Sequence, residues 1–259
     1  MHMESLPGDM SFKADGSGAV CGLYIIAKPE ELIEIEFTSF DIDCEQGGLL
    51  AIVDGWELNG QFFPNADDHP LPIEEQYRTY CGVKTPTKRY ISSQNVALIQ
   101  NRILKPGQGF SIRVKFIKNP QPCNAVYMAD TGIYTLKNYG NRRNCTLAII
   151  FPEVVQLVAV DVGVTAERKS IEAEFGLMNK CETNSGSDMI EVMGGYGFDT
   201  QLMPRNHVIC GLQSTPAKSK IVLGCENSVV RMVSSGKYYN TVTFQFTPPV
   251  VEELDSSSC

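Results

Sequence analysis

The sequence predicts an all-β protein of two tandem antiparallel β-sandwiches, and three observations carry that prediction. Short segments alternate apolar and polar residues with a period of two. Turn residues separate them. Features of the first half also return about 130 residues later in the second.

The strand segments come in order along the chain. Leu32-Ile33-Glu34-Ile35-Glu36-Phe37 keeps β-branched and aromatic residues on one face. Leu49 to Val53 is a short apolar run that stops at the turn signal Asp54-Gly55. Phe110 to Phe116 and Thr241 to Phe246 alternate without a break, and Val154–Val160, Met189–Met193 and Lys220–Leu223 add further candidates. Alternation leaves one face wet and one buried, as in an antiparallel sheet. The best helix candidate is Glu167 to Phe175, which lacks a clean apolar stripe, and Glu74 to Tyr80 can hold one further helical turn.

The repeat rests on matched features. Leu49 to Gly55 resembles Asp188 to Gly195, Cys81-Gly82 matches Cys210-Gly211, and Asn95 to Leu98 matches Asn227 to Val230. Lys118-Asn119-Pro120-Gln121-Pro122 cannot continue a central strand, so the boundary is expected there. The expected layout is a first domain over 1–118, a second over 123–249 and an acidic tail over 250–259.

Composition narrows the function. The chain has 259 residues, net charge −8 and nine cysteines. The acidic balance argues against nucleic acid, whose binders present basic patches. No apolar run reaches the roughly 18 residues of a membrane span. Met1-His2-Met3 passes at once to Glu4 and Pro7, so no secretory leader is read at this start. The cysteines form no C-x-x-C pair and only three histidines accompany them, which favours disulfides over zinc and a secreted, extracellular protein. One of the nine must lack a partner within the chain. Asn144-Cys145-Thr146 is an N-glycosylation triplet.

Catalytic signals are missing. No Gly-x-Ser-x-Gly, phosphate-binding glycine loop or His-Glu-x-x-His occurs. Asp67-Asp68-His69 can be drawn as a metal site, but an exposed polar loop is the plainer reading. No enzyme activity, cofactor or metal is expected.

Two resemblances add to this. Phe37 to Ile42, then Cys44, the strand to Asp54-Gly55, Cys81-Gly82, Ser92 to Asn95 and Gly109-Phe110 resemble a CUB domain, and the second half repeats the pattern. Asp54 to Gly60, Asp68 to Pro72 and Val229 to Lys237 resemble segments of the corticotropin-releasing factor-binding protein family. The resemblance implies bridges Cys44–Cys81, Cys123–Cys145, Cys181–Cys210 and Cys225–Cys259. It leaves Cys21 unpaired in this chain, with a family partner just before the position of Met1. It also implies glycosylation at Asn144. Many CUB domains bind calcium through acidic residues. Here the first half reads Gln46-Gly47-Gly48 at the matching position, while the second half has Asp188, with Glu153 and Asp161 as the nearest partners.

The family resemblance implies capture of a corticotropin-releasing factor (CRF)- or urocortin-like peptide hormone, which limits receptor activation. An amphipathic helical peptide needs an apolar groove with a polar rim. Trp56, Phe62 and Phe63 are the candidate contacts, since aromatics dominate such hot spots. The alternative is that all three pack beneath the long segment between Gly55 and Cys81. In Val229 to Lys237 the valines read as core, and Arg231 and Lys237 as surface charges. The alternative function is a CUB-type extracellular interaction module with a different, calcium-dependent partner.

Overall fold

A computed structural model describes residues 2–164, 188–213 and 220–254. The helix candidate at 167–175 lies outside them, as do Cys181 and Cys259. The chain forms two compact units. One comprises Met1–Ala66 and Pro70–Pro120, the other Asp67–His69 and Gln121–Cys259. A tripeptide from the first half therefore belongs to the second unit.

The first unit contains β1 (His2–Glu4), β2 (Gly8–Lys13), β3 (Val20–Ile26), β4 (Glu31–Asp41), β5 (Leu49–Val53), β6 (Trp56–Leu58), β7 (Gln61–Phe63), β8 (Tyr77–Tyr80), β9 (Tyr90–Ile91), β10 (Val96–Arg102) and β11 (Gly109–Lys118). One sheet runs β1-β3-β10-β5-β8, a second runs β2-β11-β4-β9, and β6 and β7 form a separate hairpin. All pairs are antiparallel except β1 with β3. The core follows from the alternation. Ile35, Phe37 and Phe40 of β4 face inward opposite Val114, Ile112 and Phe110 of β11, while Arg113 and Lys115 point to solvent. In the segment expected to hold a helical turn, Ile73–Glu75 is a single 3-10 turn and Tyr77 already begins a strand.

The second unit contains β12 (Ala125–Tyr127), β13 (Gly132–Lys137), β14 (Cys145–Ile149), β15 (Glu153–Val162), β16 (Met189–Gly195), β17 (Arg205–Ile209), β18 (Gly211–Gln213), β19 (Ile221–Leu223), β20 (Asn227–Val233), β21 (Thr241–Thr247) and the short helix α1 (Val251–Leu254). Its sheets run β12-β14-β20-β16-β17 and β13-β21-β15-β18, with β19 also on β15. β12 again lies parallel to β14. The two units thus share one strand order. Each Cys-Gly pair of the repeat has the same cause, because Gly82 and Gly211 sit at φ 105° and 95°, where a side chain is disfavoured.

Cys44–Cys81 and Cys123–Cys145 are disulfide-bonded. Cys210 and Cys225 are each in a disulfide, while Cys21 is a free thiol.

Candidate functional site

The candidate aromatics lie on the β6–β7 hairpin. Asp54-Gly55 turns the chain into it. Gly55 has φ 126°, and a β-carbon there would fall 2.1 Å from the Phe63 carbonyl oxygen, so only glycine allows the return strand to close. Asp54 is buried and fixes this corner. Its carboxylate accepts from the Ser93 N–H at 2.8 Å, from the Ser93 hydroxyl and from the Gln94 amide at 2.8 Å. The tip is Asn59-Gly60, both with positive φ (53° and 81°), the pairing a two-residue hairpin demands.

Strand alternation then decides which aromatics reach solvent. Trp56 stands opposite Phe63, and Glu57 opposite Phe62. Trp56 and Phe63 are 2% and 1% exposed, whereas Phe62 is 43% exposed. The expectation that all three form a contact surface is therefore corrected. Trp56 and Phe63 pack beneath the 55–81 segment, the alternative reading, and Phe62 alone faces out. The burial is specific. Trp56 sits edge-on to Tyr24 at 5.7 Å and its Nε1–H donates to the Ile25 carbonyl at 3.3 Å. Tyr24 Oη donates to the Glu57 carbonyl at 2.8 Å, and the Gln100 amide donates to the Glu57 carboxylate at 2.9 Å. Tyr24 and Gln100 lie on β3 and β10, so the hairpin is fastened to the outer face of the β1-β3-β10-β5-β8 sheet. Tyr24, Trp56, Phe63 and Leu98 form an apolar layer apart from the sandwich core.

The second unit covers the corresponding outer face differently. Arg231 of β20 is 9% exposed and grips Asp68 with two nitrogens, Nε at 2.8 Å and Nη2 at 2.6 Å. Its Nη1 donates to Glu191 of β16 at 2.7 Å, and Glu191 stands beside Arg231 in the register. Burial opposes the charge on Arg231, but Asp68 and Glu191 outweigh it and raise the guanidinium pKa above its ordinary value. The Thr146 hydroxyl donates to Asp68 at 2.7 Å, and the Asn124 amide donates to the Asp68 carbonyl at 2.8 Å.

Two readings of the sequence are corrected here. Arg231 is not a surface charge, and Asp68 and His69 are buried rather than part of an exposed loop. Lys237 is exposed as expected. A signal for the network was present. Met189-Ile190-Glu191-Val192-Met193 and Val229-Val230-Arg231-Met232-Val233 each carry one charge, of opposite sign, at the centre of an apolar run. Central strands buried on both faces can hold such charges only as pairs.

Three other singled-out residues have defined places. The Asn144 side-chain amide donates to the Asp67 carbonyl at 3.3 Å, while Thr146 of the same triplet is buried. Asp188 acts as a turn residue. Its carboxylate accepts from the Ser235 N–H at 3.0 Å and from the Asn240 amide. Among the described residues no three His, Cys, Asp or Glu side chains come together as a metal site. Glu153 begins β15 fully buried, with no hydrogen-bond partner for either carboxylate oxygen among the described residues. Burial and, after it, the charge of Asp130 push its pKa up to about 8.

Comparison with known proteins agrees along the whole chain. The profile of the corticotropin-releasing factor binding protein N-terminal domain matches residues 1–118, and that of the C-terminal domain matches residues 125–255. The human corticotropin-releasing factor-binding protein is 37% identical over 256 residues, covering 99% of this chain and 77% of the relative. The rat protein is 36% identical, covering 100% and 78%. The Xenopus laevis protein is 35% identical, covering 94% and 74%. Among solved structures, the CUB1-EGF-CUB2 domains of rat MASP-1 are 12% identical with a TM-score of 0.31, covering 95% of this chain and 100% of that one. That superposition is too loose to add to the assignment. The paired family profiles and the full-length relatives do carry it, and the chain belongs to the corticotropin-releasing factor-binding protein family.

Proposed function

We propose that this protein is a secreted, non-enzymatic binder that captures a CRF- or urocortin-like peptide and withholds it from receptors. The observation that carries this reading is the match of both family domains, with relatives named for binding corticotropin-releasing factor across the full chain. The disulfides at Cys44–Cys81 and Cys123–Cys145 support an oxidising, extracellular location, and glycosylation at Asn144 belongs to the same reading. No helix among the described residues is long and apolar enough to cross a membrane.

Phe62 is the proposed apolar contact. It stands on a hairpin whose other face is locked by Trp56 and Phe63, so little side-chain or loop entropy is lost when it is covered. Trp56 and Phe63 act as supports rather than contacts. The test is titration of synthetic corticotropin-releasing factor into the wild type and Phe62→Ala. A loss of about tenfold or more in Phe62→Ala, with unchanged thermal unfolding, supports the contact. Equal affinity would remove Phe62 from the site.

A further inference from the structure

The turn joining β13 to β14 concentrates features that the reading above leaves unused. Asn138 to Asn141 forms a tight turn closed by the Asn141 N–H to the Asn138 carbonyl at 3.0 Å. Its central residues, Tyr139 and Gly140, have φ 54° and 73°. A tyrosine in that region is an uncommon, unfavourable conformation and persists only when its surroundings enforce it. The enforcement is visible. The buried Asn138 side chain accepts from the Gly140 and Asn240 N–H groups at 3.1 and 2.8 Å, and donates to the Tyr238 carbonyl at 2.8 Å.

What the strain positions is an aromatic plate under a cation. The Arg143 guanidinium lies 5.1 Å from the centre of the Tyr139 ring. Its Nε and Nη2 are shielded from solvent, and neither has a hydrogen-bond partner among the described residues. Burial lowers the Arg143 pKa, the response of a cation without a counter-charge.

A second turn brings more positive charge. A β-carbon on Gly236 would meet the Arg142 backbone nitrogen at 2.9 Å, and one on Gly140 would meet the Tyr239 ring at 2.6 Å. The two turns therefore touch: Gly236, which Lys237 follows in the chain, lies against Arg142, and the Tyr239 ring lies against Gly140. Among the described residues, none of Arg142, Arg143 and Lys237 forms an ion pair with a carboxylate. The carboxylate bonded to the second turn, Asp188, spends its oxygens on Ser235 and Asn240. The result is a cationic, tyrosine-walled patch on a chain of net charge −8.

We propose that Arg142, Arg143 and Lys237, walled by Tyr139 and Tyr239, form a subsite for side-chain carboxylates of the captured peptide. This rests on the proposed peptide capture and adds which part of the peptide the second unit holds. The exposed Arg142 and Lys237 can donate to a carboxylate while Arg143 adds its charge from the Tyr139 ring beside them, and the tyrosine rings offer apolar cover for the methylenes of Glu or Asp. A long polyanion is disfavoured, because only three cations meet it while the net −8 charge repels the rest.

The probe is synthetic corticotropin-releasing factor, compared with the same peptide carrying Asn and Gln in place of every Asp and Glu. Wild type, Arg143→Gln and the exposed pair Arg142→Gln/Lys237→Gln are titrated with both. The expected result is a loss of about tenfold for Arg143→Gln and about fivefold for the pair, with a shallower salt dependence for each. Neither variant should distinguish itself from wild type on the carboxylate-free peptide. If Arg143→Gln fails to fold, the exposed pair decides. Wild-type binding that both variants retain within twofold overturns the subsite and leaves peptide capture standing. Absence of wild-type binding overturns both.

Discussion

The two units share a strand order yet finish their outer sheet faces by opposite means. In the first, a hairpin lays Trp56 and Phe63 over Tyr24 and Leu98, so apolar area does the covering. In the second, Arg231 and Glu191 lie side by side on β20 and β16, and Asp68, 163 positions from Arg231 in the chain, completes them. Apolar covering is non-directional and tolerates volume-conserving change. A buried ion network is directional and fails when one member is removed. One fold can thus keep its core constant while its outer faces diverge, and the outward side of such a cover is free to evolve a contact such as Phe62.

The largest expected effect lies in the ion network. Arg231→Met removes the cation that Asp68 and Glu191 share, leaving Glu191 only the exposed Arg205 at 3.0 Å, and should cost about 3–5 kcal/mol in chemical denaturation. Changing all three to apolar residues, Asp68→Leu with Glu191→Met and Arg231→Met, should recover most of that loss, because no uncompensated charge remains. If the triple variant is as unstable as the single one, the network does more than compensate its own desolvation.

Trp56→Ala is the matching test in the first unit. It should cost about 3–4 kcal/mol, through lost burial and the cavity left under the hairpin. A cost below about 1 kcal/mol would mean the aromatic layer is not the cover described.

A pH effect separates the units further. The raised pKa of Glu153, about 8, exceeds its ordinary value of 4.5, so the folded state binds the proton more tightly. The stability this adds is fully present below about pH 4.5, declines as pH rises, and is lost above about pH 8. Glu153→Gln should flatten that slope and stabilise the protein at pH 9 relative to the wild type. An unchanged pH profile would show that Glu153 is solvated in solution.

Phe62→Ala should move stability least, by less than about 0.5 kcal/mol, since an exposed ring loses little on truncation.

Much of this was readable from the sequence. Period-two alternation marked β4, β11 and β21, and the Cys-Gly repeats marked corresponding positions at φ 105° and 95°. The hairpin was readable too, because Asn59-Gly60 fixes the turn and alternation then puts Trp56 and Phe63 inward and Phe62 outward. Grouping the three aromatics by their distance along the chain missed that parity. The destination of Asp68 was not legible. Nothing local in Asp67-Asp68-His69-Pro70 names a partner, and a loop residue finds a charge 163 positions away only once both folds exist. The Arg143 patch was hidden for a related reason. Arg142-Arg143 reads as ordinary surface charge until the turn geometry shows one guanidinium shielded and unpaired.

The measurement that tests the central claim most directly is calorimetric titration of the disulfide-intact protein with synthetic corticotropin-releasing factor at several temperatures. Peptide capture predicts saturable binding at nanomolar to low micromolar strength with a clearly negative heat-capacity change from apolar burial. No heat, and no displacement of a labelled peptide at about 100 μM, a concentration that would reveal even weak association, would contradict it.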